Sequence, residues 1–122
     1  MEAASKGAAA EGGLVVGILP GSDRSAANPY VTVPILTGMS YARNVVVVKT
    51  AMSIIAVGGK YGTLSEIAHA LGEGVPVVGL GTWELARAGA PDGAIHRAKA
   101  PDEAVRIAFE LAERRALEES RL

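Results

Sequence analysis

The chain has 122 residues, 12 of them basic and 13 acidic, for a formal net charge of −1; 49% are hydrophobic and none is cysteine. So large an apolar fraction with so little charge excludes a disordered chain, and the lack of cysteine excludes a disulfide framework, a Cys-ligated zinc and a thiol nucleophile. No basic excess is present to neutralise a nucleic-acid strand, and the longest apolar runs, Val45–Val48 and Ile54–Val57, fall far short of the roughly 20 residues of a membrane span.

Met1–Ala10 reads as an alanine-rich helix stopped by Gly12-Gly13. Leu14–Ile18 is a short apolar run suited to a buried strand, ended by Pro20-Gly21. Gly21–Tyr30 is polar and turn-rich, and a brief extended piece follows at Val33–Thr37. Tyr41–Thr50 is ambiguous, but its four successive valines favour a strand. Ser53–Val57 is a clearer strand, stopping at Gly58-Gly59. Leu64, Ile67, Ala68 and Leu71 then form one helical face, closed by Gly72 and Gly74. Val75–Leu80 is another buried strand. Gly81–Gly93 is irregular, with a helical turn at Trp83–Ala88, and Ala94–Ala98 is a last, shorter strand. Pro101 suits a first helical position, with Ala104, Ile107, Ala108, Leu111 and Ala112 continuing on one face; the charged tail Glu113–Leu122 is expected to fray.

Short apolar strands alternating with helices predict one α/β domain over residues 1–122, with a parallel sheet covered by helices on both faces. Ligands bind such sheets at the carboxyl ends of strands. Met1–Lys6 lacks the basic-then-apolar layout of a signal peptide, so a cytoplasmic protein is expected.

The segment Val57-Gly58-Gly59-Lys60-Tyr61-Gly62-Thr63-Leu64-Ser65-Glu66 carries the strongest chemical signal. It is strand, glycine turn and helix start, where free N–H groups and the helix dipole attract an anion such as phosphate. Neither a Walker A sequence nor Gly-x-Gly-x-x-Gly is present. The same residues also fit a capping box, with Thr63 as cap and Glu66 reaching back to it. A second segment, Thr37-Gly38-Met39-Ser40-Tyr41-Ala42-Arg43-Asn44, offers in Arg43 a fork of donors suited to phosphate or carboxylate, or a plain surface arginine. Lys60 could assist an anion. Trp83 reads as a packing or interface anchor rather than a stacking platform, and His69 and His96 as structural or exposed.

Arg43-Asn44, followed fifteen residues on by Gly58-Gly59-x-x-Gly62-Thr63-x-x-Glu66, resembles the LOG family, the "lysine decarboxylase-like" proteins of the SLOG group of Rossmann-like nucleotide binders. The Met1–Ala8 opening, the Gly12–Gly21 run and Ala68–Leu80 resemble that family too. The chain is most similar to the branch that includes molybdenum-cofactor carrier proteins. That branch has Arg-Asn where plant cytokinin-activating enzymes have Arg-Lys, and lacks the proline before the two glycines, whose place Val57 takes here.

The resemblance implies a Rossmann-like fold and hydrolysis of the N-glycosidic bond of a nucleoside 5′-monophosphate to free base and ribose 5-phosphate. Arg43 and Glu66 match the family's catalytic pair. Gly58, Gly59, Gly62 and Thr63 match its phosphate-binding turn, and Tyr61, Thr37 and Gly38 are further candidate phosphate- or nucleotide-binding residues. A carboxylate there can stabilise an oxocarbenium-like state and activate water. The alternative is a non-catalytic carrier of molybdenum cofactor or a nucleotide, and a third reading is an inert, shortened remnant. The expected partner is a small phosphate-bearing ligand, with no nucleic acid, no membrane and no metal. No cofactor is required for catalysis, and molybdenum cofactor enters only as a carried ligand. Lysine decarboxylation is not expected, since neither Lys49 nor Lys60 has a setting for a pyridoxal phosphate Schiff base. Relatives of this family begin with a further strand, helix and strand before the position of Met1. A sheet lacking these exposes an edge and an apolar face, which predicts either self-association, as a homodimer or homotetramer, or weakened ligand binding.

Overall fold

The computed structural model describes residues 1–121. It has the order α1 (Glu2–Ala10), β1 (Val16–Leu19), β2 (Val33–Leu36), α2 (Arg43–Thr50), β3 (Ile54–Val57), α3 (Tyr61–Glu73), β4 (Val77–Leu80), β5 (Leu85–Arg87), β6 (Ala90–Asp92), β7 (His96–Ala98) and α4 (Pro101–Glu119). The described chain forms two compact units, Met1–Val46 and a second that begins at Val47. No described helix is long and apolar enough to cross a membrane.

In the first unit β1 and β2 pair in parallel, from Val16 opposite Val33 to Leu19 opposite Leu36. Little of this unit is buried: α1 buries no residue, and Asn44 is the one buried residue among those described. Leu14, Val16, Val33 and Ile35 all remain exposed. The loop between the strands holds a short 3-10 turn at Arg24–Ala26, capped by Asp23. The Asp23 carboxylate accepts from the Ser25 hydroxyl and N–H, which hold its pKa below the usual carboxylate range.

In the second unit β4 is the middle of a three-stranded parallel sheet, with β3 on one side and β7 on the other. Successive side chains of a strand point to opposite faces. Val77 accordingly packs with Ala56, Val48 and the α3 residues Ile67 and Ala70, while Val78 packs with Ala98 and the α4 residues Ala104 and Ala108. Both faces are therefore covered, α3 on one and α4 on the other, as the run of apolar residues in β4 predicts. The expected α/β class with parallel strands is present: β1–β2 pair in the first unit and β3–β4–β7 in the second, which also holds a two-stranded antiparallel hairpin.

Three local expectations are corrected. Arg43–Thr50 is a helix rather than a strand. Helical spacing puts Asn44 and Val48, four residues apart, inside and leaves Val45, Val46 and Val47 half-buried. Packing thus overrides the weak β preference of valine. The Gly81–Gly93 segment holds no helical turn. It is the antiparallel β5–β6 hairpin, turning on Ala88 and Gly89, both at positive φ (50° and 81°), the combination a two-residue turn requires. The tail does not fray at Glu113, because α4 runs on to Glu119. Arg115 fastens it, donating to the Ala51 and Met52 carbonyls at 3.0 and 3.3 Å and pairing with Glu119 at 3.1 Å. Leu122 lies outside the described residues.

Candidate functional site

Residues from both candidate segments lie at the carboxyl ends of parallel strands, each within its own unit. In the first unit, the Thr37 hydroxyl donates to the Leu19 carbonyl at 2.6 Å and accepts from the Met39 N–H at 3.2 Å. Gly38 has φ +61° and its N–H donates to the Gly21 carbonyl at 3.0 Å. Half-buried Arg43 donates from Nη1 to the Ile18 carbonyl at 2.7 Å and from Nε to the Asn44 Oδ1 at 3.1 Å. Thr37, Gly38 and Arg43 thus gather around the end of β1. Two of the arginine's donors bind the chain itself, so Arg43 is more than a solvated surface charge.

In the second unit the glycine turn leads from β3 into α3. Gly58 and Gly59 both have positive φ, 52° and 89°. A Cβ on Gly59 would overlap the Thr63 side chain, so only glycine lets the turn fold back on the helix start. The helix begins at Tyr61 after Lys60, which makes no side-chain cap. Its first hydrogen bond runs from the Leu64 N–H to the Lys60 carbonyl at 3.0 Å. The N–H groups of Tyr61, Gly62 and Thr63 therefore precede the helical ladder, and the positive end of the dipole lies there. Thr63 sits inside the helix rather than at its cap, so the capping-box reading of Thr63 and Glu66 does not hold. Glu66 is half-buried, one turn further along. Gly62 would direct a Cβ into open space, so nothing within the fold requires a glycine there.

One participant, Thr82, was missed in the sequence, and Trp83 was read there only as a packing or interface anchor. The Thr82 hydroxyl donates to the Gly58 carbonyl at 2.6 Å, and the Trp83 Nε1 donates to the Lys60 carbonyl at 3.0 Å. Both belong to the loop after β4, whose last residue Leu80 is in register with Val57. Their signal was positional: Gly81-Thr82-Trp83 follows an apolar strand just as Gly58-Gly59-Lys60 does.

Lys60 and Tyr61 are exposed at the turn. His69 lies on α3 with its Nε2 buried and 3.8 Å from the Glu73 carboxylate, which also accepts from Lys49 at 3.1 Å; His96 is exposed on β7. No group of three or more His, Cys, Asp or Glu among the described residues is placed to hold a metal. An open concavity of about 380 Å³ is lined by Glu84, Leu85, Ala86, Pro91, Asp92 and Arg97, none of them in the glycine turn.

Comparison with known proteins places this geometry. The chain is 30% identical to the molybdenum cofactor binding protein of the phototrophic bacterium Rippkaea orientalis, with a TM-score of 0.78 over 91% of this chain and 70% of that one. It is 32% identical to the molybdenum cofactor carrier protein of Chlamydomonas reinhardtii, with a TM-score of 0.72 over 88% of this chain and 68% of that one. These similarities support the Rossmann-like α/β fold. An uncharacterised protein of Archaeoglobus fulgidus is 50% identical over 80 residues, 66% of this chain; the match spans about half (52%) of that curated relative. The model of the SLOG cluster4 family matches residues 1–105, and the chain belongs to that family.

Proposed function

We propose that the protein is a carrier that binds a phosphate-bearing small molecule of the molybdenum-cofactor type, holding its phosphate at the glycine turn of Gly58, Gly59, Gly62 and Thr63. The observation that carries this reading is the turn itself. A left-handed Gly58-Gly59 pair delivers the chain into a helix whose first N–H groups precede the hydrogen-bonded ladder and whose Gly62 faces open space. The likeness to the Rippkaea and Chlamydomonas proteins supports molybdenum cofactor as the cargo, since those proteins bind or carry it. Molybdenum cofactor carries a terminal phosphate, which suits a backbone anion site. Thr37, Gly38 and Arg43 are proposed ligand contacts of the first unit, with Arg43 contributing the guanidinium donors it does not use on Ile18 and Asn44.

The same turn would serve hydrolysis of nucleoside 5′-monophosphates, with Arg43 and Glu66 as the catalytic pair, so the test must separate the two. Mixed with molybdenum cofactor and passed through gel filtration, the protein is expected to retain molybdenum and pterin. Gly62→Ala is expected to release them, because its added methyl occupies the ligand's approach. The same substitution should leave the melting temperature unchanged or raised, since alanine is favoured over glycine in a helix by up to about 1 kcal/mol. Incubation with AMP is expected to yield no free base. Base release that vanishes in Glu66→Gln would replace the carrier by a phosphoribohydrolase.

Self-association is proposed as well, supported by the exposed Val16, Val33 and Ile35 of the β1–β2 pair. Light scattering should return the mass of a dimer or tetramer, reduced by Val33→Lys. A monomer at tens of micromolar would end this reading.

A further inference from the structure

The chain has one tryptophan, three tyrosines and one phenylalanine, and two of these five rings meet beside the glycine turn. Trp83 is half-buried against the core of the second unit, and its Nε1 hydrogen bond to the Lys60 carbonyl, 3.0 Å long, fixes the indole to the turn. Tyr61 is different. It belongs to neither hydrophobic cluster and is 77% exposed, yet its ring is held 5.6 Å from the indole, centroid to centroid, at an interplanar angle of 36°. An offset, tilted contact of this kind orients a ring. The packing role expected of Trp83 accounts for the indole, but the core has no use for the tyrosine. What the pair presents is an aromatic surface anchored at the back, open at the front, and joined to the first N–H groups of α3.

We propose that Tyr61, backed by Trp83, is a stacking platform for a planar heterocycle, so that the ligand is a phosphate compound bearing a purine or pterin ring rather than a sugar phosphate or free phosphate. The placement of the phosphate rests on the carrier reading above; the platform rests on the aromatic pair. Stacking tolerates different rings because each has a π face, and such a contact raises affinity by about five- to a hundredfold.

The test uses GMP and ribose 5-phosphate, which share the phosphorylated ribose and differ at the anomeric carbon, where GMP carries guanine and ribose 5-phosphate a hydroxyl. Guanine shares its 2-amino-4-oxopyrimidine portion with pterins. Trp83 is the single tryptophan of the chain, so its fluorescence reports on the platform directly. The intact protein is expected to bind GMP at least about fivefold more tightly than ribose 5-phosphate, with the indole quenched by GMP only. Tyr61→Ala should bring GMP down to the affinity of ribose 5-phosphate while leaving the latter unchanged, and Tyr61→Phe should restore the difference. Equal affinities in the intact protein would overturn the proposal, as would an equal loss for both ligands in Tyr61→Ala. If neither phosphate compound binds, the placement of a phosphate at the turn fails, and guanosine then decides the platform. Quenching by guanosine that disappears in Tyr61→Ala upholds stacking, and its absence overturns it.

Discussion

Replacing Gly59 with alanine is expected to destabilise the second unit by about 3 kcal/mol and to abolish ligand binding, the largest effect of any substitution in the turn. Two costs combine. A non-glycine residue held at φ +89° loses about 1–2 kcal/mol against relaxed backbone, and the new methyl must displace the Thr63 side chain at a further cost of about 1–3 kcal/mol. The melting temperature should fall by about 10 °C. Gly58→Ala provides the comparison, because its φ is also positive but the nearest atom to its Cβ is the Gly81 carbonyl oxygen at 4.0 Å. It should retain the backbone cost and escape the collision. Equal melting temperatures for the two variants would show that Thr63 yields without cost, and that the tightness of the turn does not set its shape.

The second large effect is expected at Ile67. This side chain is fully buried, with 0% exposure, and packs against Val48, Ala56 and Val77 beneath α3. Ile67→Ala should cost about 3–4 kcal/mol, from lost burial together with the cavity left behind. Urea unfolding is the direct measurement, with Val57→Ala as control, since Val57 is 64% exposed and its truncation should cost less than about 1 kcal/mol. Because the same helix presents Tyr61, Gly62 and Thr63, Ile67→Ala should also weaken ligand binding while the protein is still folded. A loss below about 1 kcal/mol would place the anchor of α3 elsewhere.

The second unit was the more legible part of the sequence, for a physical reason. Its central strand Val77–Leu80 is buried, and both it and Ile54–Val57 stand out as short apolar runs, each followed by a glycine. The α3 face was legible from Ile67, although Ala70 rather than Ala68 turns inward, a difference of half a turn that alanine is too small to signal. The Val45–Val48 run was misleading because branched side chains favour strands locally, whereas the burial of Asn44 and Val48 is a tertiary fact. The β5–β6 hairpin was illegible because its turn is Ala88-Gly89 rather than Asn-Gly, and its strands carry no alternating apolar pattern. At the candidate site, the glycines were readable because left-handed backbone leaves a mark in composition. The hydrogen bonds of Thr82 and Trp83 were not, since they join residues some twenty positions apart.

Those two bonds have a consequence for how a guest would be received. The carbonyls of Gly58 and Lys60 are already engaged by neighbouring side chains, at 2.6 and 3.0 Å. A glycine-rich loop left to itself would sample many shapes and lose that freedom on association. Here the freedom is given up during folding, so the receptor is preorganised. Thr82→Ala should therefore leave the number of contacts to a ligand unchanged and make their formation entropically dearer, converting a rigid seat into one that each ligand must assemble for itself.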